Sequence, residues 1–289
     1  MYGTLQLKLI NKNIANMFRS LFFLVLSMFM VSCQTLKLRT LEAHELKPDQ
    51  AKNYAIYAMM ASNAYEDIAS LRRFPLESLG WNSDPEKHYS DYSGLSFDVF
   101  EKENSNEVVF AFRGTNDFLD YLTHNFAIVS LQAILVDYEL SKYKKKVGNK
   151  NIVLTGHSLG GGLAIGMSLK HCLKAVTFDA SPRIFDGFGI KLFGYDGDCD
   201  GKNIDRVLIY TKGEILELTR RFSIDQFKEK IVQKDNTFKV STDANDGKCQ
   251  NFVCKHEMEP LAIEILRRGK LAENKELDII CDAINCEEK

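Results

Sequence analysis

Asn151-Ile152-Val153-Leu154-Thr155-Gly156-His157-Ser158-Leu159-Gly160, continued by Gly161-Gly162-Leu163-Ala164-Ile165-Gly166-Met167-Ser168-Leu169, decides the fold. Asn151 to Thr155 is a short β-branched and aliphatic run, the pattern of a strand buried on both faces. The stretch from Gly161 onward is apolar and reads as a helix. Between them Gly156 to Gly160 fits Gly-x-Ser-x-Gly, a turn that lifts a serine clear of a sheet. Such a turn needs strained backbone at the serine and small neighbours where strand and helix nearly touch, which Gly156 and Gly160 supply. The helix start also offers backbone N–H groups where negative charge would develop on a substrate oxygen. A flexible glycine loop fits the pentapeptide alone; the strand before it and the helix after it favour the elbow.

Working outward, Leu95 to Val99 alternates like a strand and Glu103-Asn104-Ser105-Asn106 reads as a turn. Glu107 to Phe112 (EVVFAF) is then a buried strand, so the two form a hairpin. Ala175 to Phe178 and Arg206 to Thr211 are two further buried strands. Residues 48 to 66 open with Pro48-Asp49 and carry an apolar stripe at helical spacing, from Ala51 to Tyr65. Ser83 to Ser96 reads as loop. Strands alternating with helical stretches predict an α/β fold with a mostly parallel central sheet flanked by helices. The 289 residues are 45% hydrophobic and 26% charged with 18 Gly and 5 Pro. Those averages exclude disorder, collagen and coiled coil. A net charge of −2 gives no footprint for nucleic acid.

Three motifs occur in order: Phe112-Arg113-Gly114-Thr115, the segment GHSLGGGLA at Gly156 to Ala164, and TFDASPR at Thr177 to Arg183. Together they resemble class 3 lipases, the fungal-lipase-like branch of the α/β-hydrolase fold, from about Pro48 to Leu266. The resemblance implies a serine carboxylic-ester hydrolase acting on acyl lipids, with no cofactor and no metal. It places Thr115 and the Leu159 N–H in the oxyanion hole around Ser158. In this fold the acid and then the histidine follow the serine along the chain. His44, His88 and His124 precede Ser158, His157 sits inside the elbow, and His171 lies on the following helix. His256 remains, ahead of Met258 and an apolar helix, as the family's catalytic-histidine segment has it. For the acid, the family's Asp position after a Gly falls on Glu214; Asp205, Glu217 and Asp225 are rivals. Asp117 to Phe126 (DFLDYLTHNF) loosely resembles the D-W-x-x-N-F stretch of the family; its aromatic and aliphatic residues suit the lining of an acyl pocket or a lid, and core packing is their plainer reading. The triad does not choose its acyl group, so a thioesterase, a peptidase or a surface lipoprotein that only binds are alternatives.

The first forty residues read differently from the rest. No acid precedes Glu42, Lys8, Lys12 and Arg19 lie upstream, and Leu21 to Ser32 is an apolar run too short to span a bilayer. This is the pattern of a secretory signal peptide, residues 1–32, with Met17 as an alternative start. Met30-Val31-Ser32-Cys33 resembles a bacterial lipobox, which makes Cys33 the lipidation site. Residues 33–46 are then a tether and 47–289 one hydrolase domain. Gln34 favours the outer membrane or cell envelope, with the membrane reached through the anchor. Cleavage leaves 257 residues and removes three basic groups and no acid, moving the charge from −2 to −5. The mature protein is expected to be a monomer. Of the seven cysteines, Cys33 is claimed by lipid. The close pairs Cys249/Cys254 and Cys281/Cys286 are the expected bridges in an oxidising compartment, with Cys172 a buried thiol. Asp196 to Gly201 matches half of a calcium loop, but Val207 stands at the twelfth position where a bidentate Glu belongs, so an acidic surface turn is expected.

Overall fold

A computed structural model describes residues 43–65, 73–83, 88–90, 94–114, 126–181, 199, 204–217, 236–242 and 254–287. The expectations for Cys33 and the signal peptide, for Thr115, for most of Asp117 to Phe126, for Asp225, for Cys249 and for the calcium-loop half-motif lie outside these residues, apart from Phe126 and Cys199.

Among the described residues nine strands form one sheet: β1 (His44–Glu45), β2 (Trp81–Ser83), β3 (Tyr89–Ser90), β4 (Ser96–Lys102), β5 (Glu107–Phe112), β6 (Asn151–His157), β7 (Lys174–Phe178), β8 (Arg206–Thr211) and β9 (Thr237–Val240). Their order is β1-β9-β8-β7-β6-β5-β4-β2, with β3 also on β4. From β5 to β1 every pairing is parallel. Only β4 against β5, β2 and β3 is antiparallel. The hairpin and the parallel core read from the sequence are therefore present, in an α/β-hydrolase arrangement.

Helices α1 (Pro48–Asn63), α2 (Phe126–Val147), α3 (Leu159–His171), α4 (Met258–Lys270) and α5 (Lys275–Ala283) cover the sheet. Alternation along β5 assigns them to two faces. Val109 and Ala111 join Val153, Val176, Ile209 and the buried sides of α1, α4 and α5. Val108, Phe110 and Phe112 join Ile152, Leu154 and the buried sides of α2 and α3. Both faces are covered, which is why these strands read as unbroken apolar runs. The alanine stripe of α1 (Ala51, Ala55, Ala58) lets α4 lie close against it, with Leu261, Ala262, Ile265 and Leu266 in the same core.

Three expectations change. Residues 44–46, expected to belong to a tether, are part of the folded body: His44–Glu45 pairs with Phe238–Lys239 and Leu46 is buried. A two-residue strand carries no periodicity of its own. Ser83 to Ser96 is not all loop, because Tyr89–Ser90 pairs with β4. Cys172 is not a free thiol: it caps α3 in a left-handed turn and is bonded to Cys199, 27 residues on. Its Cα lies 5.5 Å from that of Cys199, within bridging range, a proximity that the chain separation hides. Cys281 is bonded to Cys286.

Ile265 is fully buried between α1 and the sheet. Ile265→Ala removes its buried methyl groups and leaves a cavity, an expected loss of about 2–5 kcal/mol in urea unfolding. A loss below ~1 kcal/mol would mean that α4 does not seal this face.

Candidate active site

The carboxyl ends of the central strands converge on one place. β6 leads to Ser158, β5 to Gly114, β7 to Asp179 and β8 to the loop bearing Glu214. In parallel sheets ligands gather at these ends, because loops there can be varied without disturbing the ladder.

Ser158 has φ 55° and ψ −122°, a conformation that L residues rarely adopt. It is held by its neighbours: its N–H donates to the Phe178 carbonyl at 3.1 Å, and its carbonyl accepts from Ser181 and Gly162. Gly156 and Gly160 are required by contact. A Cβ on Gly156 would lie 2.6 Å from the Gly160 carbonyl carbon, and one on Gly160 would collide with the Phe112 carbonyl oxygen. Leu159 opens α3, so its N–H belongs to the first turn, where the helix supplies no acceptor.

The Ser158 hydroxyl donates to His256 Nε2 at 2.8 Å. On the other side of the ring, His256 Nδ1–H donates to Glu214 Oε2, also at 2.8 Å. A carboxylate only accepts, so that bond fixes the tautomer and leaves Nε2 as the acceptor facing serine. His256 closes a short 3-10 turn, Cys254–His256, just ahead of α4. Glu214 is oriented in turn by the Leu216 N–H at 2.8 Å. All three side chains are buried, Ser158 at 2%, Glu214 at 3% and His256 at 7% exposed. Their charges and dipoles therefore act with little screening.

The rival acids among the described residues, Asp205 and Glu217, stand elsewhere. Asp205 lies just before the amino end of β8, bonded to Asn236 and paired with Lys174. Glu217 accepts from the Gly213 N–H at 2.7 Å, bracing the loop instead of the ring. His171 pairs with Asp137 between α3 and α2.

Two residues given no site role by the sequence reading belong here. Tyr65 accepts from the Gly114 N–H at 3.0 Å and meets His157 Nδ1 at 2.9 Å. Burial pushes its phenol above the ordinary tyrosine range, partly offset by the Gly114 N–H and Arg113, so it keeps its proton. With Gly114 donating to the phenol oxygen, the phenol proton goes to His157 Nδ1. Tyr65 thus fastens the segment that leads into Thr115 to the residue before Ser158. It falls on the apolar stripe read over residues 48 to 66, and so reads as core in one dimension. The second is Asp179, a fully buried carboxylate. Its signal was an acid at the end of an otherwise apolar strand. One ligand atom each from His157, Asp179 and His256 lie within 4.8 Å of one another. Both nitrogens of His256 are engaged by Ser158 and Glu214, so the cluster belongs to the hydrogen-bonded site and is not a ligand set.

With this geometry in place, comparison with known proteins adds a family. Residues 55–219, more than half of the chain, match the model of the Tle-like phospholipase domain. The extracellular phospholipase A1 of Serratia liquefaciens is 30% identical over 139 residues, covering 46% of this chain and 43% of that protein. The chain thus matches less than half the length of that relative. Lip2 lipase of Yarrowia lipolytica is 17% identical, with a TM-score of 0.45 over 71% of this chain and 82% of that one. A lipase from Rhizopus microsporus var. chinensis is 17% identical, with a TM-score of 0.42 over 63% and 78%.

Tyr65→Phe strips the Gly114 N–H of its buried acceptor. The expected loss is about 1–3 kcal/mol of stability in chemical denaturation. Unchanged stability would mean that the hydroxyl does not hold this strand end.

Proposed function

Because the chain belongs to the family of Tle-like phospholipase domains, we propose that it is a serine hydrolase cleaving carboxylic esters of acyl lipids, with phospholipids as the substrate class. The observation that carries this reading is the continuous relay from Glu214 through His256 to the strained Ser158, each link 2.8 Å long. In the proposed reaction Ser158 Oγ attacks the acyl carbonyl carbon while its proton passes to His256 Nε2. The imidazolium is steadied by Glu214 through Nδ1–H. The carbonyl oxygen becomes an oxyanion held by the Leu159 N–H and by Thr115, each donor contributing roughly 3–4 kcal/mol. Collapse breaks the ester bond, His256 returns the proton to the departing alcohol, and the acyl group stays on Ser158. Water then repeats the sequence, releasing a fatty acid and restoring the serine.

The second part of the proposal is export and lipidation at Cys33, with residues 1–32 as signal. It is supported by the basic flank and short apolar run, and by the bridges Cys172–Cys199 and Cys281–Cys286, which suit an oxidising compartment. Among the described residues no helix is long and apolar enough to cross a membrane.

A fluorophosphonate probe is expected to label Ser158, and Ser158→Ala to abolish both labelling and release of fatty acid from phosphatidylglycerol micelles. A folded wild-type protein that neither labels nor releases fatty acid sinks the hydrolase reading. For the anchor, the expected result is palmitate incorporation in the full-length protein and its loss, with release from membranes, in Cys33→Ala. Continued membrane partitioning of Cys33→Ala, with no palmitate in wild type, overturns it.

A further inference from the structure

Asp179, inside the motif TFDASPR, takes no part in the relay just described, yet it is buried and held in left-handed backbone. It is a non-glycine residue at φ 42° and is completely buried. Left-handed backbone at such a residue persists only where its surroundings hold it. The holding groups are visible. Its N–H donates to the Ile209 carbonyl at 2.9 Å. Its carboxylate accepts from the Thr211 N–H at 2.7 Å and from the Thr211 hydroxyl at 2.9 Å. Thr211 is the last residue of β8, three before Glu214, so this pair of bonds pins the base of the acid loop. A carboxylate oxygen of Asp179 also lies within 4.8 Å of a nitrogen of His256.

We propose that Asp179 is a second carboxylate for the catalytic histidine: it positions the Glu214 loop through Thr211 and adds its own negative charge to the environment of the His256 imidazolium. This deepens the hydrolase reading and rests on it. Imidazolium forms when Ser158 attacks, and in a buried site two carboxylates hold that cation more firmly than one. Backbone geometry alone does not explain an acid here, because the left-handed position suits glycine or asparagine without a buried charge. The groups around the ring come from each strand end: Glu214 after β8, Asp179 after β7 and His157 at the end of β6. Lys255 and Glu257 flank it in the chain.

The test separates charge from hydrogen bonding. Asp179→Asn keeps an acceptor for the Thr211 N–H and a donor for its hydroxyl, and removes only the charge. Thr211→Val removes the hydroxyl bond and keeps the charge. The readout is kcat/KM against pH on p-nitrophenyl butyrate, with Tm beside it. A carboxylate favours the protonated ring, so losing one lets the basic form persist to lower pH. Asp179→Asn is therefore expected to move the acid limb down by about half a pH unit or more and to lower kcat about tenfold. Thr211→Val is expected to lower Tm with the limb in place. Coincident limbs in wild type and Asp179→Asn, with only Tm reduced, overturn the proposal and leave a structural clamp. Glu214→Gln gives an answer even if Asp179→Asn does not fold. With a second carboxylate present its kcat is expected to fall about a hundredfold, whereas a fall of about ten-thousandfold means that Glu214 acts alone and sinks the idea. Fluorophosphonate labelling of wild-type Ser158 distinguishes the two readings: without it the hydrolase reading itself has failed, and with it these outcomes judge Asp179.

Discussion

At the turn from β6 into α3, the Gly160 backbone lies so close to the Phe112 carbonyl that no side chain fits between them. The contact fixes how far the nucleophile strand and its helix sit from the neighbouring strand β5. It also leaves Ser158 no room to relax from its positive φ. The strain is sustained by bonds on both sides of the residue, from its N–H to Phe178 and from Ser181 and Gly162 to its carbonyl. A serine so held presents its hydroxyl to His256 at 2.8 Å with no reorganisation of the turn.

Everything else in the site is arranged around that fixed point. Parallel strands place four loops at one edge of the sheet, and each contributes something different. The β5 end is tied by Tyr65, the β6 end carries the serine, and the β7 and β8 ends carry carboxylates. His256 alone comes from outside the strands, on a 3-10 turn braced by α4. The packing of α4 on α1 is therefore part of the geometry of the site: it sets where the imidazole stands between Ser158 and Glu214. Burial of the three side chains strengthens each bond between them and makes their mutual satisfaction a condition of folding as well as of chemistry.

How much of this was legible depends on whether the signal was local. The strands Glu107–Phe112 and Arg206–Thr211 could be read residue for residue, because burial on both faces leaves an unbroken apolar run with polar ends. The elbow was legible because its glycines and serine are consecutive. By contrast His44–Glu45 and Tyr89–Ser90 exist only through their partners Phe238–Lys239 and Phe97–Ser96, and two residues have no period to detect. Cys172 looked like a thiol on an apolar helix face, since nothing near it in sequence announces Cys199. Glu214 was chosen over Asp205 and Glu217 by likeness to a family pattern, and only the folded chain places its carboxylate against His256 and the others away from it.

The sequence by itself determined the α/β alternation, the nucleophile turn and the chain order of serine, acid and histidine. Those properties are written in contiguous residues, in period and in composition. Tertiary structure decided which acid meets the histidine, that Tyr65 fastens Gly114, and that the Asp179 carboxylate lies within 4.8 Å of a His256 nitrogen. These are contacts between residues 42 to 77 positions apart, and hydrogen bonds act over about 3 Å. Only the packing of β5 to β8 and α4 brings such distant groups within that reach.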